Sequence, residues 1–429
     1  MDTLSALKKI QTDCIHFSKK KHIHNIAFVP LLIKTKIMYD INNFKNNTKY
    51  LLFSGGGSRG VSILSFLNYL FRHYEKTFNR SISVWLKHKL KGCAGTSVGS
   101  IIAFTLCCRI DPYYILQKIH DNMHMFNVST YSKSKGIYKR SLLENIATTN
   151  YRYTNQISIE YLYDLVRTVM DSWCGIHHRI TMRDFYETTK IELVINTFDI
   201  VSMKEIILDH KNTPDLRVID AIVCSCCIPT IFEPCGIQYK ENYWVLIDGG
   251  YRNNMMVSPF DPSQTMSICL NSHIFNRHDV VCPGFCPSKN FGTVDACEQK
   301  DRGTYRLFHI KNPFTSYYQY SYFVLSEHFY YYKDLHYLNM IPRVQLEQTV
   351  FLTNFSKIEC DKPKSYRWIQ NIKNVFDVLN IYDSMLKITK KEYSEYISDG
   401  AIHFYLWMIG VENLMFLLFY YSIVKTKKQ

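Results

Sequence analysis

The sequence predicts an α/β protein: a three-layer domain with a mostly parallel central sheet, followed by a helical, aromatic-rich C-terminal region. The first observation behind this is a strand, a glycine-rich turn and a helix in succession, reading YLLF, SGGGSRG and VSILSFLNYLFRHY over residues 50–74. The second is the immediate recurrence of that order, with LKGCA at 90–94, GTSVG at 95–99 and SIIAFTLCC at 100–108. Strands alternating with helices across short turns pair in parallel, because each helix carries the chain back to the same end of the sheet.

Taken in order, residues 1–48 are rich in Lys and Asn around one apolar patch, IAFVPLLI, and form an N-terminal extension. The main domain spans 49–275. After its two strand–turn–helix units come helical stretches at 112–126 and 159–170, joined by a polar connection that includes 129–140, readable as a lid or a loop. Strands IELVINTFD (191–199) and MKEIILD (203–209) follow, then a helix over 216–227 running into Pro229. Strand YWVLI ends in Asp248-Gly249-Gly250, and SICLNS at 267–272 closes the series. Residues 276–429 make the C-terminal region, with crowded aromatic residues over 311–342 and a hydrophobic segment at 402–424.

With 47% hydrophobic residues in 429, the chain buries a substantial core. Its formal charge of +14 favours an anionic partner. No RNA-recognition signature, zinc-finger spacing or helix-turn-helix pattern stands out, so the expected partner is an anionic membrane surface and not nucleic acid. Fourteen Cys would suit a disulfide scaffold in a short secreted chain, but this one is long and opens MDTLSALKKIQTDC, without the apolar run of a signal peptide. The thiols are expected to be reduced and the protein intracellular. Cys282, Cys286 and Cys297, with His273 and His278 nearby, have metal-ligating residue types, but CPGFC is a loose, Pro-bearing spacing that reads as a loop with idle thiols.

Gly95-Thr96-Ser97-Val98-Gly99 is a GxSxG sequence between strand and helix, the context in which a serine is held on a strained turn as a nucleophile. Gly95 and Gly99 let the backbone turn and keep side chains off Ser97, and the helix starting at Val98 directs its positive end there. Gly55, Gly56 and Gly57 expose amides suited to an oxyanion, and Arg59 adds a positive charge for the oxyanion or a phosphate. A glycine-rich turn opening a helix suits any anion. Yet GGGSRG is neither GxGxxG with an acidic ribose ligand nor a Walker sequence with its lysine. Asp248, at a strand end beside Gly249 and Gly250, is placed to act as a base; the plain alternative for a DG pair is a hairpin turn.

Together, in this order, the GGGxRG, GxSxG and DGG elements resemble the patatin-like phospholipase family. AIVCSCCIPTIFEP at 221–234, IELVINTFD before it and the RNN after DGG extend the resemblance to roughly residues 49–272. Where the family usually has Pro after the asparagines, this chain has Met255 and Met256. The resemblance implies a lipid acyl hydrolase of the phospholipase A or lysophospholipase type, acting on phospholipid through a Ser97–Asp248 dyad and an acyl-enzyme. It implies no metal and no cofactor.

Two rivals stand beside this reading. One is a Ser–His–Asp esterase, with a later histidine such as His273 or His309 as base. The other is a non-catalytic protein that binds membrane lipid. The 402–424 segment, followed by Lys425, Lys427 and Lys428, has the length of a membrane helix, yet Glu412 at its middle opposes spanning. A helix packed on the domain is the alternative.

Overall fold

A computed structural model of the chain describes residues 41–126, 159–270 except 203, 229–231, 233 and 252, then 296–301, 304–310, 345, 348–352 and 388–408. In chain order its elements are α1 (Ile41–Asn47), β1 (Tyr50–Phe53), α2 (Gly60–Phe78), α3 (Ile82–His88), β2 (Gly92–Thr96), α4 (Val98–Cys107) and α5 (Pro112–Asp121). Then come α6 (Glu160–Arg167), α7 (Met182–Thr189), β3 (Glu192–Asp199), β4 (Lys204–Leu208), α8 (Val218–Cys226), β5 (Cys235–Tyr239) and β6 (Asn242–Asp248). The last are β7 (Thr265–Leu270), β8 (Ala296–Asp301), β9 (Tyr305–Ile310), β10 (Thr349–Leu352) and α9 (Lys390–Met408).

All the strands belong to one mixed sheet flanked by helices, as the strand–turn–helix repeats predict. Its centre, β10-β7-β1-β2-β3, is parallel, and β6, β5, β9 and β8 continue it antiparallel. Strand residues alternate between two apolar environments. Leu51, Phe53, Cys93, Leu193, Ile195 and Ile268 join the large core formed with the helices. Leu52, Ala94, Val194 and Cys269 meet Met255 and Met256 in a second, smaller cluster. A sheet buried on both faces needs near-continuous apolar strands, which is what the sequence shows.

The pairing around β3 decides where the site lies. Ile195 and Asn196 pair with β2 and β4 at once, so those two strands take opposite edges of β3. Thr197 pairs with Ile206 of β4 and with Asp248 of β6, which puts β6 on the edge that β2 occupies further back. Strand β2 stops opposite Asn196 and β6 arrives opposite Thr197 from the other direction. The two strands meet end to end.

Helix boundaries follow local chemistry. Asp111 caps α5 by accepting the Tyr113 N–H at 2.9 Å, with Pro112 at the first helical position. Helix α2 runs four residues beyond the predicted Tyr74 and stops at Asn79, which takes the left-handed conformation at φ 46°. Strands β8, β9 and β10 bring residues from beyond 275 into the same sheet, where the sequence showed only a weakening signal. Of the 402–424 segment, residues 402–408 are the end of α9, which begins at Lys390, and Phe404 and Trp407 are buried in the core. Among the described residues no helix is long and apolar enough to cross a membrane. The 129–140 connection, the 311–342 aromatic stretch, Pro229, His273, His278, Cys282, Cys286 and Glu412 lie outside the described residues.

Candidate active site

Strand β2 runs directly into the GxSxG turn: Gly95 and Thr96 are its last residues and α4 begins at Val98. Ser97 alone makes the turn, at φ 54° and ψ −128°. A non-glycine residue pays roughly 1–3 kcal/mol for such a conformation. Its neighbours hold it there. The Ser97 N–H donates to Ser225 Oγ at 2.8 Å, and its carbonyl accepts the Ser100 N–H at 2.8 Å and the Ser100 hydroxyl at 2.6 Å. A serine in the N-cap position ordinarily turns its side chain back onto its own helix. Here the hydroxyl caps nothing on its own helix, and it lies close enough to the Asp248 carboxylate to favour its ionised form. The crossing of β2 over α4 is so close that a Cβ on Gly95 would lie 2.1 Å from the Gly99 carbonyl oxygen, which admits only glycine.

Asp248 is the last residue of β6, and its N–H donates to the Cys227 carbonyl at 2.9 Å. Its Oδ1 accepts the Gly250 N–H at 2.7 Å. Burial raises the carboxyl pKa from 3.8 to about 7, while the hydrogen bonds from Ser97 and Gly250 pull it back toward the ionised form. The strand then turns away at Gly249, where a Cβ would sit 2.5 Å from the Asn196 carbonyl oxygen. Among the described residues, no histidine is one of the groups that set the Asp248 titration. His309 sits on β9, which is separated from β6 by β5, so its backbone is roughly 10 Å to the side by ordinary strand spacing. His273 lies outside the described residues.

The glycine-rich turn leaves the end of β1 beside this pair. A Cβ on Gly55 would lie 3.0 Å from Ser97 Cβ, so the loop and the serine are in contact. Of the three amides expected to face an oxyanion, that of Gly55 donates to the Asn254 carbonyl at 3.1 Å. The amides of Gly56 and Gly57 donate to no acceptor among the described residues. Arg59, expected to face the oxyanion or a phosphate, follows these glycines. Its guanidinium is buried, which lowers its pKa, and the neighbours that oppose this are Tyr396 and Asp399 of α9 and Cys269 of β7.

Three supporting residues had no role assigned from the sequence. Asn254 donates from Nδ2 to the Gly55 carbonyl at 3.1 Å, so it bonds the Gly-rich turn through both backbone and side chain. Ser225, at the end of α8, takes the Ser97 N–H and donates to the Asn196 carbonyl at 2.7 Å. Asn196 in turn donates to Thr96 Oγ1 at 3.3 Å and to the Asn253 carbonyl at 3.1 Å. All fall inside the segments quoted for the family resemblance, and that was the only signal for them. Among the described residues no group of three His, Cys, Asp or Glu side chains is placed to hold a metal ion.

The family model described as patatin-like phospholipase matches residues 51–261. The curated protein "Probable lipid hydrolase 463L" of Invertebrate iridescent virus 6 is 29% identical over 233 residues, 54% of this chain and 69% of its own length. Among solved structures, VipD from Legionella pneumophila is similar at a TM-score of 0.31 and 12% identity, over 85% of each chain. The ExoU–SpcU complex of the Pseudomonas aeruginosa type III secretion system is similar at 0.29 and 16% identity, over 52% of this chain and 43% of that one.

Proposed function

The chain carries a patatin-like phospholipase domain over residues 51–261, the domain of ester-hydrolysing lipid hydrolases, and on that premise we propose that it cleaves fatty-acyl esters of phospholipids with Ser97 as nucleophile and Asp248 as base. The observation that carries this reading is the end-to-end meeting of β2 and β6 on one edge of β3, which sets Ser97 beside the buried Asp248 carboxylate whose pKa its hydroxyl lowers. A base whose pKa lies at about 7 is partly ionised at neutral pH and still basic enough to take a proton in the transition state.

In the first half-reaction Asp248 takes the Ser97 proton as Oγ attacks the ester carbonyl, and the oxyanion faces the Gly56 and Gly57 amides. Collapse breaks the ester C–O bond, the proton passes from Asp248 to the leaving alkoxide, and a lysophospholipid departs. In the second half-reaction Asp248 takes a proton from water, which attacks the acyl-serine. Release of the fatty acid returns that proton to Ser97 and regenerates the site.

The positive net charge of +14 supports an encounter with substrate at an anionic membrane surface inside the cell. Turnover on vesicles containing anionic lipid should therefore exceed that on neutral ones and fall as salt is added.

A serine-reactive fluorophosphonate, followed by peptide mapping, tests the assignment. Labelling at Ser97 in the wild type, absent in Ser97→Ala, together with release of free fatty acid and lysophospholipid from vesicles, is the expected result. Fatty-acid release that survives in Ser97→Ala would remove the nucleophile from the reading.

A further inference from the structure

Helix α9 lies along α2 so closely that a Cβ on Gly400 would come within 2.5 Å of the Ser62 carbonyl oxygen and 2.7 Å of the Phe66 nitrogen. Ser65 Oγ donates to the Ile397 carbonyl at 2.7 Å, and the Phe66 ring meets those of Phe404 and Trp407 at 6.2 and 6.0 Å between centroids. The contact continues past the start of α2. The Tyr396 hydroxyl is 3.4 Å from Ser58 Oγ, and Asp399, buried to 3% exposure one turn further along α9, favours the charged form of Arg59 electrostatically. Ser58 and Arg59 belong to the single turn that begins at Gly57, and the Arg59 N–H donates to the Gly56 carbonyl at 3.1 Å. The Gly-rich turn is thus bonded to Asn254 on one side and to α9 on the other.

We propose that Asp399 and Tyr396 are positioning residues for hydrolysis, acting through Arg59 and Ser58 to fix the Gly56 and Gly57 amides where the oxyanion develops. The proposal rests on the acyl-hydrolase reading given above. Arg59 Nε is buried and the Asp399 carboxylate favours the charge on the guanidinium, so neutralising Asp399 removes that support and, with the Tyr396–Ser58 contact, loosens the turn against α9. Neither residue is in the part of the chain matched by the family model.

Full-chain Asp399→Asn and Asp399→Glu are compared with the wild type. The readouts are kcat and KM on a chromogenic fatty-acyl ester, amide exchange over 54–60 and over 93–103, and the thermal midpoint. Asp399→Asn is expected to lower kcat about 10²-fold, the size of losing an oxyanion donor, with KM changed by less than about 2-fold. Exchange should quicken over 54–60 but not over 93–103, and Asp399→Glu should recover most of both. Unchanged exchange over 54–60, or exchange raised equally in both segments with a lower thermal midpoint, overturns the proposal. If Asp399→Asn does not fold, Tyr396→Phe removes one hydroxyl. A roughly 3-fold loss of kcat with quickened exchange over 54–60 is then expected, and no change in either defeats the idea. Should the wild type turn over no ester at all, the acyl-hydrolase reading fails by itself, and exchange over 54–60 still decides whether α9 positions the turn.

Discussion

Thr96 and Asp248 occupy consecutive places along one edge of β3, opposite Asn196 and Thr197. Strand β2 ends at the first place and β6 ends at the second, approaching from opposite directions. Ser97, the next residue after Thr96, therefore has the Asp248 carboxylate directly ahead of it. The meeting of serine and carboxylate is a consequence of strand register, reinforced where Ser225 joins Ser97 to Asn196.

The first prediction concerns pH. Because burial raises Asp248 to about 7, kcat/KM for ester hydrolysis should rise through an inflection near that value and level off above it. A pH–rate profile on a substrate without ionisable groups measures this. An inflection close to 4 would mean that solvent reaches the carboxylate.

Stability should move the other way. The folded-state pKa is raised from 3.8 to about 7, so the native chain holds the Asp248 proton more tightly, and its stability falls as pH rises between those values. Fully ionised, the group costs on the order of 4 kcal/mol. Asp248→Asn, though inactive, should melt higher than the wild type at pH 8 and no higher at pH 4. Calorimetry at the two pH values gives the comparison, and equal midpoints at pH 8 would contradict it.

Ser97 offers a separate test through its backbone. At φ 54° it occupies a region that glycine enters with little strain. Ser97→Gly and Ser97→Ala should both be inactive, but the glycine variant should be more stable than the alanine variant by about 1 kcal/mol. Urea denaturation of the pair measures the difference; greater stability for alanine would show that the turn is not strained.

Acid should loosen the contact between α9 and α2. Burial lowers the His403 pKa from 6.5 to about 4, with Arg59 adding to the effect. Stability tied to neutral His403 is complete above 6.5 and is lost as pH falls toward 4, by about 3 kcal/mol in all. Between pH 7 and pH 4.5 the amide protection factors over 390–408, corrected for the intrinsic pH dependence of exchange, should fall by more than those of the α4 segment. An equal fall in both would make the change global.

The parallel half of the fold was legible because its strands are apolar on both faces and end in glycines that steric contact demands. Gly95 against Gly99 and Gly249 against Asn196 leave a mark in the letters themselves. Strand β8, ACEQKD, has no apolar alternation, and β10 has four residues, so only pairing with β9 and β7 makes them strands. The same holds within the site. Ser97 and Asp248 sit in recognisable turns, whereas Ser225, Asn196 and Asn254 are ordinary polar residues until the register of β3 and the Gly-rich turn bring them together. The sequence offers Arg59 for the oxyanion or a phosphate, and it carries no sign that the charges acting on its guanidinium include Tyr396 and Asp399, on a helix some 340 positions further on.

The end-to-end meeting of β2 and β6 also divides the reaction between two lengths of polypeptide. A cut in the link between β3 and β4, at 200–203, leaves the proposed nucleophile, Ser97, on the first fragment and the proposed base, Asp248, on the second. On that proposal neither fragment holds both partners, and β3, whose edge presents them, must zip onto β6 again before an ester can be cleaved. Ester cleavage by such a split pair would count reassembled molecules directly, which makes the β3 edge a natural place to build a complementation reporter.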